Sequence, residues 1–412
     1  MNTSSFARSH RIPLLLLVLA LLLVTATAIT AQDTVNLSVA YWGNNQEAAM
    51  IDAMLSAFEA ENPNITIERI WVPDSYEEKV TTMIAGGTPP DLVQISHTSL
   101  PGFVDVFAPV EVDESLYASP LYTRALSYEG ELRAVPFVAK PKVMGINVDV
   151  FDAAGIPVPN ADTPLTAQEF QDLAVQLSSG EGDSRIFGSA PLWFGGWLFA
   201  FGNTFYNEDG TQVTIGDQSA IDAAKFVIDA TATYHYAPTA VEATGQSMFD
   251  WFLSGRVAMY PDFGPWHIPL VKTSSMNWTI VPDPELGEPL EINGFGISTD
   301  TLHPDEAKAL AVFMGQSETA QNILGTSEAA AGVPVIPSAA EAFAQSIPGH
   351  SLVAFLYAAQ NAPVPVGNKM DAQIQDEFYR EVNARTALGT GSEDPAVVFP
   401  ELQDTLNAMF NQ

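Results

Sequence analysis

An α/β fold in two domains follows from two features of the chain: strands that alternate with helices near the amino end, and a length that outgrows one core. Val35 to Tyr41 alternates apolar and polar positions, as a half-buried strand does. Ile51, Met54, Leu55 and Phe58 recur at helical spacing and predict a helix. Asn62-Pro63-Asn64 ends it, and Ile65-Thr66-Ile67 opens a second strand. Tyr76 to Ile95 repeats the alternation. Val80, Met83 and Ile84 share a helical face, Gly86-Gly87 stop the helix, and Pro89-Pro90 push the chain to extended geometry. Leu92, Val93 and Ile95 then form a short apolar strand. Such alternation predicts a mostly parallel sheet flanked by helices on both faces. The chain has 412 residues. The roughly 380 beyond a leader exceed one typical core and predict two domains.

That leader is residues 1–31. Arg8 and Arg11 precede an apolar run from Leu14 to Val24, too short to span a bilayer but of signal-peptide length. Ala26-Thr27-Ala28 offers one cleavage site and Ala31 a second; an uncleaved anchor is the alternative. The chain has no cysteine, which excludes disulfides and a lipid-bearing N-terminal cysteine. Formal charge is −33 and becomes −35 once the leader's two arginines are removed. This balance argues against nucleic acid and anionic lipid as partners and is otherwise that of a soluble acidic surface.

Further along, Gly130 to Pro136 reads as a turn and strand, Val143 to Asn147 as a strand, and Val148 to Gly155 as a short helix closed by Ala-Gly. Thr166 and Glu169 fit a capping box before a helix with Phe170, Leu173, Ala174 and Leu177 on one face. Phe201-Gly202-Asn203 leads into Asn207-Glu208-Asp209-Gly210, then a helix from Gln218 to Tyr234. Phe252 to Met259 reads as a strand, with Phe263-Gly264-Pro265-Trp266 directly after it. Asn293 to Ser298 is a strand and Pro304 to Gln316 a helix; a tail helix ends near Gly389 or Gly391, and a last one runs from Pro395 to Phe410.

In this order, the Ala85-Gly86-Gly87-Thr88-Pro89-Pro90-Asp91 turn, the Gly-polar-apolar strand ending at Pro136, Asp149-Val150-Phe151, the Phe252-x-x-Gly255-basic-x-Ala258-Met259 segment and Asn293-Gly294-Phe295-Gly296 resemble the bacterial extracellular solute-binding proteins that feed ABC importers, in the branch that binds sugars. The resemblance covers nearly all of the chain after the leader. It implies a two-lobe periplasmic-binding-protein fold with a hinge of three crossovers. The expected lobes are 32–138 with 291–345, and 139–290 with 346–412. It implies a monomer that takes a small-molecule carbohydrate between its lobes, hands it to membrane permease subunits, and uses no cofactor.

Catalytic patterns are missing. The sequence has no G-x-S-x-G elbow, P-loop, G-x-G-x-x-G or H-E-x-x-H. Its six histidines show no metal-ligand spacing, and Asn207 to Gly210 lacks the flanking acids of a calcium loop and reads as a turn. Aromatic residues carry the site instead, since a sugar offers apolar C–H faces and a rim of hydroxyls. Pro191 to Phe199 packs Trp193 and Trp197 around Gly195-Gly196; these rings line a cleft or fill a core helix. Trp266, after Gly264-Pro265, is expected at a strand end, where α/β sheets bind ligands. Trp42, Asn44 and Asn45 follow the first strand, and His97 and Thr98 the third; their amides and hydroxyls suit sugar hydroxyls, though such residues also form turns. By resemblance, His97 stands at a cleft-side histidine, Thr98 and Lys140 stand at positions acidic in a maltose-binding relative, and Phe378 stands at an aromatic platform or packs the tail helix. A basic group there is compatible with an acidic sugar or a phosphate ester. The rival expectations are an exported polysaccharide-active enzyme and a sensor partner without transport.

Overall fold

The computed structural model describes residues 34–410; the expected leader lies outside them. Twelve strands follow in order: β1 Val35–Tyr41, β2 Ile65–Trp71, β3 Leu92–Ser96, β4 Ser127–Tyr128, β5 Glu131–Leu132, β6 Ala134–Lys140, β7 Val143–Asn147, β8 Phe187–Ser189, β9 Val257–Phe263, β10 Trp278–Val281, β11 Glu291–Ile297 and β12 Val333–Pro334. They form a six-stranded sheet of order β12-β6-β11-β3-β1-β2, a four-stranded sheet of order β10-β7-β9-β8, and the small β4-β5 hairpin. Each main sheet is the floor of one lobe.

The expectation of mostly parallel sheets is corrected. β1 runs parallel to β2 and β3, as the β-α-β-α-β series requires. β11 then lies antiparallel between β3 and β6, and β12 is antiparallel to β6. In the second lobe only β8 and β9 are parallel, while β7 is antiparallel to both β9 and β10. The reason is the route of the chain. Strands that re-enter a sheet from the other lobe arrive at its cleft end and run back against those that left it.

The chain passes between the sheets three times. Pro141 and Lys142 link β6 to β7, residues 282–290 link β10 to β11, and the stretch after helix Pro337–Ala344 leads to helices Val353–Asn361, Asp371–Arg385 and Pro395–Met409. The last two helices pack with Phe194, Leu198, Phe205 and Ile221 in the second lobe. The second and third passages touch, Leu290 N donating to Pro363 O at 2.8 Å.

Apolar periodicity explains most elements. Ile51, Met54, Leu55 and Phe58 are buried, as their spacing predicts. In helix Tyr76–Ala85 only Val80 is buried, because this helix lies at the rim of the cleft. In β7, Met144 and Ile146 face one core cluster and Val143 another, so both faces of the second sheet are covered. Asn207 to Gly210 is a turn, Gly210 N donating to Asn207 O.

Candidate functional site

Three recesses lie along the interlobe cleft and share lining residues. The first-lobe recess, of about 450 Å³, is walled by Trp42, Tyr76, Glu77, Ser96, Thr98 and Glu291. An apolar recess of about 300 Å³ runs from Thr98 to Trp193, with Phe199, Phe205, Pro365 and Tyr379 between them. A polar recess of about 380 Å³ lies on the other side of Trp193, lined by Lys142, Met248, Tyr260, Asp262 and Glu288. Thr98 belongs to the first two and Trp193 to the last two, so the recesses adjoin in series as a trough with walls from both lobes.

In the first lobe, Trp42 rests on Tyr76 with ring centroids 4.9 Å apart. The Tyr76 hydroxyl lies within reach of Gln94 O at 2.8 Å and Ala40 O at 3.0 Å, which locks this helix start onto β1 and β3. Burial pushes the Tyr76 phenol well up, so it stays a donor. Beside it, Ser96 Oγ and Thr98 Oγ1 stand 3.0 Å apart, and Ser99 Oγ donates to Glu77. The wall thus offers hydroxyls and carboxylates under an aromatic ledge.

In the second lobe, Trp193 stands at the N-cap of helix Phe194–Ala200 in extended geometry and is 44% exposed. A Cβ at Gly195 would lie 2.3 Å from that ring, and one at Gly196 would lie 2.4 Å from Glu288 Oε1. Two glycines therefore let an indole and a carboxylate settle on the same short helix. Lys142 Nζ contacts Asp262 Oδ1 at 2.6 Å and Glu288 Oε2 at 3.7 Å, and lies 5.1 Å from the Trp193 ring centre. Burial would lower the Lys142 ammonium, but Glu288 and Asp262 more than offset this and hold it up. Glu288 and Asp283 are buried and pushed up, first by desolvation and then by neighbouring carboxylates. Asp283 Oδ1 and Glu288 Oε2 receive no hydrogen bond.

The expected site residues separate into two groups. Trp42, Thr98 and Trp193 line the trough. Lys140 ends β6 beside it, 3.5 Å from Glu47 Oε1, and Asn45 is exposed at the start of helix Asn45–Glu61. Trp266 sits half-buried in the turn after β9, its ring folded over Gly264, and does not line these three recesses. Trp197 is corrected to a core residue: one turn into its helix, it packs on Phe170 and Phe226. Phe378 is likewise core, fully buried against Phe194, Phe205 and Phe399. His97 is buried, and its Nδ1 accepts from Ile292 N at 3.1 Å, joining β3 to β11. Asn44 spends its side-chain oxygen on the backbone N–H groups of Gln46 and Glu47.

Sequence reasoning missed Tyr76, Lys142, Tyr260, Asp262, Glu288 and Tyr379. A usable signal existed for two of these. Lys142 and Glu288 lie in two of the passages between lobes, where chain and cleft must meet.

The fold is thus two α/β lobes linked by three passages of chain, with recesses along their junction. The chain belongs to the bacterial extracellular solute-binding protein family, whose model matches residues 53–350. Its fold is similar to that of an ABC substrate-binding protein from Listeria monocytogenes solved in complex with cycloalternan, at TM-score 0.78 and 22% identity over 92% of this chain and 100% of that one. It is similar also to the sugar-binding protein MalE of Xanthomonas citri, at TM-score 0.77 and 18% identity over 91% and 97%. In sequence it is 29% identical over 182 residues to a putative binding protein of Brucella abortus; that match spans 41% of this chain and 43% of the relative, less than half its length. An uncharacterized lipoprotein of Streptomyces antibioticus is 24% identical over 343 residues, 74% of this chain and 72% of that protein. Among the described residues no helix is long and apolar enough to cross a membrane.

Proposed function

We propose that the protein is the exported binding component of an ABC importer, that a carbohydrate is its ligand, and that it performs no catalysis. The observation that carries this reading is Trp193: an exposed indole standing between two recesses, with donors and acceptors around it. That is what a sugar ring needs, an apolar face and a polar rim. The ligand contacts proposed are Trp42, Tyr76 and Thr98 from one lobe and Lys142, Trp193, Tyr260 and Glu288 from the other, with Asn45, Lys140 and Trp266 at the margins. A ligand held by both lobes binds the closed form more tightly and shifts the hinge toward it. The closed form is the one a permease would recognise.

A thermal-shift screen of residues 32–412 against mono- and oligosaccharides, polyols, uronic acids and sugar phosphates tests the reading. A ligand at 100-fold over its dissociation constant adds about 2.7 kcal/mol of stability. One responding sugar class, with the response lost in Trp193→Ala, supports it. Silence across all carbohydrates sinks it, and consumption of the bound sugar sinks the non-catalytic part.

A further inference from the structure

The polar recess is richer in carboxylates than binding hydroxyls requires. Lys142 is the ammonium it contains, facing Asp262 and Glu288, with Asp283 behind them and Glu291 acting from the start of β11. Glu288 is 3% exposed. Glu288 lines the recess with its Oε1 pressed against Gly196 and its Oε2 buried without a hydrogen bond. At 3.7 Å from Lys142 Nζ that oxygen is within ion-pair range but beyond hydrogen-bond distance.

Three kinds of ligand end meet this arrangement differently. A carboxylate or phosphate would be buried beside Asp262 and Glu288 with one cation at hand, already 2.6 Å from Asp262. A hydroxyl would donate one hydrogen bond and leave the surplus charge in place. An ammonium would bring three donors and a second positive charge to carboxylates that share Lys142 alone, beside an indole whose face favours cations. We infer that the recess formed by Lys142, Trp193, Tyr260, Asp262 and Glu288 is a subsite for the protonated amine of an amino sugar and refuses sugars that end in an anion. This rests on the carbohydrate reading and narrows it.

The proton balance gives an independent signature. Without ligand, desolvation and mutual repulsion keep a proton on the Glu288–Asp283 pair. The titratable groups that face the pair are Lys142, Asp262 and Tyr379, with Glu291 beyond Lys142 and His267 beyond Asp262. An arriving ammonium takes the place of that proton, which leaves to solvent.

The test is calorimetry on residues 32–412 with glucosamine, glucose and glucuronic acid, each as the free sugar and as the β-1,4-linked disaccharide, in buffers of different ionisation enthalpy at neutral pH. The amine form is expected to bind on the order of tenfold tighter than the neutral form, with net proton release and without detectable binding of the acid. In Glu288→Gln, whose melting temperature reports that it folds, the tenfold preference for the amine over the neutral sugar and the proton release disappear. Equal or tighter binding of the neutral or acidic sugar overturns the inference and leaves the carbohydrate reading standing. No binding of any of the six overturns the inference as well; the broader reading falls with it only if the thermal-shift screen is also blank.

Discussion

Trp193 and Trp197 are four residues apart on one short segment, yet one lines two recesses and the other packs in the core. The difference is phase. Trp193 is the N-cap, with φ −88° and ψ 120°, so its ring leaves the helical progression that carries Trp197 inward. Sequence shows the aromatic run and its two glycines but not where the first helical turn begins. Trp193→Ala removes an exposed ring and should lower the melting temperature little while abolishing sugar binding. Gly196→Ala forces a Cβ against Glu288 Oε1; it should destabilise by about 1–3 kcal/mol and weaken binding in a titration. If its affinity matches the parent's, Glu288 is not held as described. His97 gives a pH prediction. Burial lowers its imidazole from 6.5 to about 4, so the folded state favours the neutral form. Stability from this residue is therefore complete above the unfolded value of 6.5 and drains as pH falls toward 4. Denaturant unfolding at pH 7 and 4.5 should show a smaller acid loss in His97→Asn, whose side-chain oxygen can still accept from Ile292 N. An unchanged acid loss would remove His97 from the account.

Individual elements were largely legible because their apolar spacing is strong. The pairing of those elements was not. The first three strands follow the β-α-β-α-β rule, but nothing local in Glu291–Ile297 says that it will insert antiparallel between β3 and β6. That is decided by the direction from which a distant lobe returns it. The Asn44 loop shows a second blind spot, since an amide after a strand suits both a ligand and a helix cap. Here the Asn44 oxygen accepts from Gln46 N at 2.8 Å and Glu47 N at 3.0 Å, and Glu47 reaches back to Asn44 N. Asn44→Ala should therefore reduce stability by about 1 kcal/mol and leave the sugar dissociation constant unchanged. A large affinity loss with unaltered stability would make Asn44 a ligand residue after all.

At the scale of the molecule, the proposed ligand would touch residues of both lobes. Binding should bring the lobes together. Small-angle scattering is expected to show a smaller radius of gyration with a tight-binding sugar than without, and no such change in Trp193→Ala with the same sugar. A radius that ignores every tight ligand would leave the fold intact and remove hinge closure from the mechanism. The two-lobe fold was readable because motifs lie in sequence along the chain. The trough itself was not, because its walls join residues far apart in the chain, such as Trp42 and Glu291.

Lys142 lies in the first passage between the lobes and Glu288 in the second, so the ion pair between them ties two hinge strands together. The groups proposed to read the ligand are therefore also part of the joint between the lobes. Selectivity and resting posture cannot drift apart in such a design: a lineage that exchanged either residue to accept a new sugar would alter, in the same step, how often the empty protein stands shut before its transporter.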